Sequence, residues 1–349
     1  MANNQLIAAA SECSKSLLPA IGGKAASLGE LVKAGAPVPP FFVITSNAYR
    51  HFIQFNGLDY EIARLQNTSA DEALKVAAKL RHQIVNSPFP TELEEKLVDA
   101  FKGLTSGWGS VAVRSSATLE DAPEASFAGQ YETYLGVRRD GEFLESVKKC
   151  FASLFTDRAV TYRMKMGLPQ DGVRMAVIAQ ALVKARSAGV MFTVNPLNGD
   201  PSVVVIESSW GLGEAVVKGE VTPDKYSVNK ISMEVLEVYR SRSKPVRYEM
   251  LEDGTVARKD NVAQDSWEAS LSLEEAVKLA EMGASLEKYF GAAQDIEWVV
   301  DQHRKFPENI FLVQSRPVTI KSTVSTPSKQ SDLNPLDRII NTLLIGVKV

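Results

Sequence analysis

The sequence is poor in the residues that disulfide-bonded, metal-centred and membrane-spanning proteins depend on. Its 349 residues include two cysteines and three histidines. Cys13 and Cys150 lie far apart with no metal-ligand spacing. That excludes a disulfide framework and predicts a reduced, cytoplasmic protein. No run of 18 apolar residues occurs, so no membrane-spanning helix is expected. The opening MANNQLIAAASECSK has no basic region ahead of its short apolar run and does not read as a signal peptide. Net charge is −3 without a long basic run, which argues against nucleic acid or a membrane surface as partner. Phosphate binding would therefore rest on a few converging cations. A Walker A loop is absent too, because the cluster IGGK has the wrong glycine–lysine spacing.

What remains is an ordinary globular composition, 45% apolar and 23% charged, in a chain long enough for two or three compact units. KAASLGELVKA has helical spacing after Gly22-Gly23, and FFVI reads as a short buried strand. Residues 60–105 read as charged, amphipathic helices, with Asp71 and Thr91 as N-cap candidates and Gly103 closing the second. From Ser110 onward β-rich runs alternate with helices at about 142–166 and 273–290. The mixture indicates an α/β or α+β fold and no repeat architecture. A Ser/Thr/Pro-rich stretch after Pro317 reads as a linker to a short amphipathic end.

Four clusters could handle phosphate. In IGGKAASLGE, glycines permit close approach, the helix start offers free N–H groups, and Lys24 adds a charge. An ordinary glycine-initiated helix with an exposed lysine is the plainer reading of these residues taken alone. In VAVRSSATLED, Arg114 ends an apolar strand and two serines follow, which suits a polyphosphate. A solvated turn with Arg114 paired to Glu120 or Asp121 is the plainer alternative. In ASFAGQYET, Ser126, Ala128 and Gly129 are small enough for backbone amides to fold over a ligand; a surface loop is the alternative. In DIEWVV and IFLVQSRP, side-chain alternation puts Asp295 with Glu297 on one face, and Leu312, Gln314 and Arg316 on one face. Paired as a hairpin, these strands bring Glu297, Gln314 and Arg316 together as an oxygen-rich platform for Mg2+ and phosphate, or as a surface ladder of salt bridges.

In order along the chain, GGKAASLGEL, VPPFFVITSNAY, VAVRSSATLEDAPEASFAGQYET, SAGVMFTVNP, ESSWGLGEAVVKGEVTPDKY and DIEWVVD with IFLVQSRPVT resemble the N-terminal nucleotide-binding region of phosphoenolpyruvate synthase and pyruvate phosphate dikinase. Rifampin phosphotransferases and phenylphosphate synthase are similar relatives. The resemblance runs from about Ile21 to Thr319 and implies an ATP-grasp fold, two subdomains closing on ATP and Mg2+. The expected division is a first subdomain over residues 1–200, with a helical insertion at about 60–105, a second over 201–322, and a linker and tail over 323–349.

Carried over residue by residue, the resemblance implies that Lys24, Arg114 and Arg316 are catalytic and hold the phosphates. The loop at Ser126, Ala128 and Gly129 would cover them. Gln180 and the Leu182 backbone would meet adenine, and Glu214 the ribose. Glu297, Gln314 and Asp295 would bind the metal. The family passes phosphate to a histidine in a Thr-Ser-His-Ala type motif on a swivelling domain. His51, His82 and His303 stand in other contexts. The expectation is an ATP-binding subunit or domain that serves a histidine-bearing partner, with phenol or pyruvate as final acceptor. The chain is then either one subunit of a split system or part of a longer phosphoenolpyruvate synthase. A nucleotide-sensing regulatory module and an ATP-grasp ligase are the alternatives.

Overall fold

The computed structural model describes residues 5–118, 121–122, 125–126, 132–170 and 172–318. The loop residues Ala128 and Gly129 lie outside these, as does everything after 318. The first half of the chain runs β1 (Ile7–Ala9), α1 (Leu18–Lys33), β2 (Phe41–Ile44), α2 (Ser46–Phe55), α3 (Asp59–Arg64), α4 (Ala70–Asn86), α5 (Thr91–Trp108) and β3 (Val111–Ala117). Then come the two-residue strands β4 (Asp121–Ala122) and β5 (Ala125–Ser126), followed by β6 (Thr133–Val137), α6 (Asp140–Ala152), α7 (Asp157–Lys165) and β7 (Met175–Ala181). The second half runs β8 (Ala185–Phe192), β9 (Val203–Trp210), α8 (Glu214–Val217), β10 (Asp224–Asn229), β11 (Val235–Tyr239), β12 (Val246–Met250), β13 (Val256–Asp260), α9 (Leu273–Phe290), β14 (Gln294–Asp301) and β15 (Ile310–Pro317).

The strands form a five-stranded sheet in the order β1-β2-β7-β3-β6 and a six-stranded sheet in the order β11-β10-β9-β8-β14-β15. β12 and β13 make a separate hairpin. This is the two-part α+β architecture that an ATP-grasp fold requires. The changeover between sheets falls at residues 182–184. β8 is paired with both β9 and β14, so it sits in the second sheet, ahead of the expected boundary at 200.

Alternation along β2 explains how the first sheet is covered. Phe42 and Ile44 face a core shared with α2, α4, α5 and α6, while Phe41 and Val43 face the opposite way. On that opposite side α1 buries Ile21, Ala25, Leu28 and Leu31 in one core with Ile206, Ile296 and Trp298 of the second sheet. Helix α1 is thus wedged between the two sheets, and α9 packs on the same side of the second sheet through Ala276, Leu279 and Leu286.

The helical run at 60–105 is present, but its punctuation differs from expectation. Ser69, not Asp71, caps α4 by accepting from the Glu72 N–H. Pro90 precedes α5, which runs through Gly103 to Trp108 and stops at Gly109 with φ 77°. A mid-helix glycine is tolerated where the next turn keeps its carbonyl partners, and Gly109 alone adopts the left-handed stop.

Gly22 breaks the helical geometry within α1, with φ 75° and ψ 169°. The continuous helix carrying Lys24 therefore starts at Gly23. A side chain at Gly22 would collide with the Ser116 carbonyl and hydroxyl, and its backbone region is essentially confined to glycine. Gly22→Ala should destabilise the protein by about 2–3 kcal/mol. The check is the urea midpoint, and an unchanged midpoint would refute the constraint.

Candidate active site

Residues from three strands and both sheets converge on one guanidinium of a fourth strand. Arg114, near the middle of β3, donates from Nη1 to Gln180 Oε1 at 3.3 Å and to the Val313 carbonyl at 2.9 Å. From Nη2 it donates to Glu297 Oε2 at 3.2 Å and to Gln314 Oε1 at 2.8 Å. Its side chain is 13% exposed, so these contacts are sheltered from water. The planar five-donor fork of arginine suits such a divergent set of oxygens. The pairing with Glu297 replaces the alternative partners Glu120 and Asp121; the first is outside the described residues, and of the second the structure describes backbone only.

The register of the second sheet explains the platform. Glu297 lies directly opposite Gln314, and Asp295 directly opposite Arg316. Arg316 Nη2 meets Asp295 Oδ2 at 2.8 Å. Ile296 and Trp298 point the other way, into the core beside α1, as alternation predicts. Leu312 departs from its expected face. The register shifts so that Trp298 pairs with Leu312, leaving Val313 as an extra residue. This bulge sends Leu312 into the core and directs the Val313 carbonyl to Arg114.

Lys24 is half-buried at the start of α1 and donates to the Ser115 carbonyl at 3.3 Å. The Ala25 N–H donates to Ser116 Oγ at 3.2 Å, so a serine on β3 caps a helix 91 residues earlier in the chain. Gln180 is paired across the strands with Ala112 of β3 and Phe41 of β2. Leu182 uses its N–H on the Ser110 carbonyl at 3.0 Å, so that donor is not available to a ligand. The Leu182 side chain joins Ala112, Val183, Leu212, Val299 and Phe311 in an apolar cluster beside the polar centre. Ser126 lies in β5, paired with Asp121.

Two buried atoms at this centre lack a partner. Gln180 Nε2 and Glu214 Oε2 are each inaccessible and unbonded among the described residues. An unsatisfied buried polar atom costs about 1–3 kcal/mol, so such atoms call for a ligand or water. Burial raises the Glu214 carboxyl above its ordinary value; Lys218 and Arg114 pull it down and Glu297 pushes it up. Those influences put Glu214 within electrostatic reach of the cluster. Burial likewise raises the Asp295 carboxyl, with Arg316 opposing and the charges of Glu297 and Glu207 adding to the rise.

Glu207 escaped the sequence reading. It lies on the same cross-sheet row, through Val190, as Glu297, and its Oε1 meets Lys225 Nζ at 2.8 Å. Ser27 and Ser315, which link α1 to β15, also went unnoticed, and nothing local marks them. Ser116, expected as one of two serines suited to a polyphosphate, accepts from α1 instead. Among the described residues, no group of three or more His, Cys, Asp or Glu side chains could hold a metal alone. Glu297 and Gln314 provide two oxygen donors, which suits an ion that draws its remaining ligands from phosphate and water.

The family model described as pyruvate phosphate dikinase, AMP/ATP-binding domain, matches residues 18–334. The phosphoenolpyruvate synthase of Aeropyrum pernix is 42% identical over 345 residues, covering 89% of this chain and 42% of that protein. The probable phosphoenolpyruvate synthase of Methanocaldococcus jannaschii is 39% identical, covering 93% and 27%, and the phosphoenolpyruvate synthase of Pyrococcus furiosus is 34% identical, covering 95% and 46%. The chain thus spans less than half the length of these relatives. Among solved structures, D-alanyl-alanine synthetase A from Vibrio cholerae O1 aligns over 88% of this chain and 60% of its own, at 10% identity and a TM-score of 0.33, too loose a likeness to carry an argument. On the family match and the relatives together, this chain belongs to the pyruvate phosphate dikinase AMP/ATP-binding domain family.

Proposed function

We propose that the chain binds Mg-ATP and passes a phosphoryl or pyrophosphoryl group to a histidine on a partner subunit or domain, as the ATP-binding part of a dikinase-type phosphotransferase. The observation that carries this reading is the convergence of Arg114, Gln180, Glu297 and Gln314 beside the orphaned atoms of Gln180 and Glu214.

In this reading the apolar cluster around Leu182 receives adenine, and Gln180 Nε2 donates to a ring acceptor. Glu214 Oε2 accepts from a ribose hydroxyl. Lys24, Arg114 and Arg316 surround the phosphates and offset charge as the bond between the transferred phosphorus and its bridging oxygen breaks. Glu297 and Gln314, with Asp295 close by, would hold Mg2+, which supplies further neutralisation of phosphate charge. Such reactions depend on positioning and fixed charges more than on a nucleophile within the binding protein. The loop at Ser126, Ala128 and Gly129 would cover the phosphates and exclude water.

The acceptor is an imidazole nitrogen from outside this site. His303 N–H donates to Asp301 at the far end of β14 from Asp295, His51 lies in α2 and His82 in α4. Final acceptors consistent with the resemblance are pyruvate, as in phosphoenolpyruvate synthase, and phenol, as in phenylphosphate synthase. A reduced, cytoplasmic setting fits the two buried thiols: burial pushes Cys13 up to about 12 and raises Cys150 as well. No helix among the described residues is long and apolar enough to cross a membrane.

The test is incubation with Mg2+ and ATP labelled at the β or γ position, together with the histidine-bearing portion of a phosphoenolpyruvate synthase relative. Acid-labile label on the partner and release of AMP are expected. ADP as sole product would point to a ligase. ATP binding with no transfer would point to a regulatory module.

A further inference from the structure

Three elements bring the cations and oxygen ligands together, and each pair of them is tied. Helix α1 is tied to β3 by the Ala25 N–H on Ser116 Oγ and by Lys24 on the Ser115 carbonyl. β3 is tied to β15 by Arg114 on the Val313 carbonyl and Gln314. The third side of this triangle is Ser27 of α1, whose hydroxyl donates to the Ser315 carbonyl, between Gln314 and Arg316. β15 is held there from both sides. Ser315 Oγ donates to Gln294 Oε1 at 2.9 Å, and the Leu312 N–H donates to the Pro37 carbonyl, just beyond α1, at 2.8 Å.

Ser27 departs from what a helix alone would select. Alanine is the better helix former by about half a kcal/mol. A serine hydroxyl inside a helix usually bonds back to the preceding turn. This hydroxyl instead reaches a strand of the other sheet, 288 residues along the chain. The position of the tie also differs from that of its neighbours. Arg114 would share its donors with a bound polyphosphate, loosening the β3–β15 side of the triangle. The Ser27 tie uses neither Arg114 nor any of its donors, and it reaches the main chain of β15 between Gln314 and Arg316.

We propose that Ser27 is a positioning residue of the phosphate site: it sets the separation between Lys24 on α1 and the Gln314–Arg316 edge of β15, and so the fit to a polyphosphate but not to a monophosphate. This rests on the nucleotide-binding reading above. In that reading a nucleotide's base and ribose draw on Gln180, Glu214 and the apolar cluster, not on the cations of α1 and β15. The outer phosphates need the cations of α1 and β15 at once, and an error of about 1 Å in such an arrangement costs up to about a hundredfold.

The experiment compares Ser27→Thr with Ser27→Val, two side chains of the same shape that differ in the hydroxyl, with Ser27→Ala alongside. Binding of Mg-ATP and of AMP is measured by calorimetry on the whole chain, with a melting curve for each variant. Thr should bind Mg-ATP within about threefold of wild type. Val and Ala should bind it about tenfold more weakly while AMP affinity stays within about twofold. Parallel losses of ATP and AMP affinity would assign Ser27 a purely structural role and overturn the proposal. So would Val binding Mg-ATP as well as Thr does. Failure of the wild-type chain to bind Mg-ATP would instead remove the nucleotide reading itself.

Discussion

Arg114→Met should weaken Mg-ATP binding by at least about a hundredfold, or about 2.7 kcal/mol, and abolish transfer to the partner, while the chain stays folded with a lowered melting temperature. Methionine keeps most of the side-chain volume, so packing beside β7 is preserved. What disappears is the fork that joins Gln180, Glu297, Gln314 and the Val313 carbonyl. Hydrogen bonds to a charged group contribute about 1.5–3 kcal/mol each, and a terminal phosphate would accept more than one of them. Glu297, 36% exposed, can be resolvated once its cation is gone, whereas the buried Gln180 oxygen and the Val313 carbonyl lose a donor, so some stability is lost with the binding. Arg114→Lys should not restore binding, since a point charge cannot meet four divergent acceptors. Calorimetric titration with Mg-ATP checks the first claim. Near-normal affinity combined with a collapsed melting temperature would mean that Arg114 is a structural rivet between the sheets and nothing more.

Asp224→Ala should cost about 3–5 kcal/mol of stability, read as a fall in the urea midpoint. Asp224 and Lys244 are both fully buried and meet at 2.6 Å. The carboxylate also accepts from the Ser241 N–H, the Ser270 N–H and the Ser270 hydroxyl, while Lys244 donates a second bond to the Glu268 carbonyl. The aspartate therefore gathers the segment after β11 and the segment before α9 around the start of β10. Alanine strands a buried ammonium together with two backbone donors. Asp224→Asn keeps oxygen for some of those donors and should lose less. The double variant Asp224→Leu with Lys244→Met should recover part of the loss, because breaking a buried pair costs more than replacing it with apolar side chains. A double variant no more stable than Asp224→Ala would show that the hydrogen bonds, and not the stranded charge, dominate.

The sequence exposed these features unevenly, and the reason is range. The β14–β15 hairpin was readable because alternation is local: Asp295 and Glu297 share a face, and Glu297 meets Gln314 as expected. Helix α9 was equally plain at 273–290, and the structure bounds it with a Ser272 cap and a Gly291 stop. The bulge at Val313 was not, since one extra residue in a strand leaves no mark in the pattern of apolar positions. The partner of Arg114 was sought nearby, at Glu120 or Asp121, whereas Glu297 lies 183 residues away. The Asp224–Lys244 pair was hidden for a similar cause. Both charges occupy positions that read as surface until a loop and a helix start fold over them. The pairing of the Leu182 N–H with the Ser110 carbonyl was equally out of local reach, 72 residues away along the chain.

The span of the Arg114 contacts also bears on when a site like this can come into being. Its partners are separated from it by 66, 183, 199 and 200 residues. Contacts of that separation form late, after the closure of long loops. During synthesis, which proceeds from the N-terminus at roughly 5–20 residues per second, Lys24 and Arg114 are made well before Glu297 and Gln314. The emerging chain thus carries Arg114 ahead of Glu297 and Gln314 for an interval of about ten seconds or more. This centre is assembled only when β15 leaves the ribosome and docks against α1.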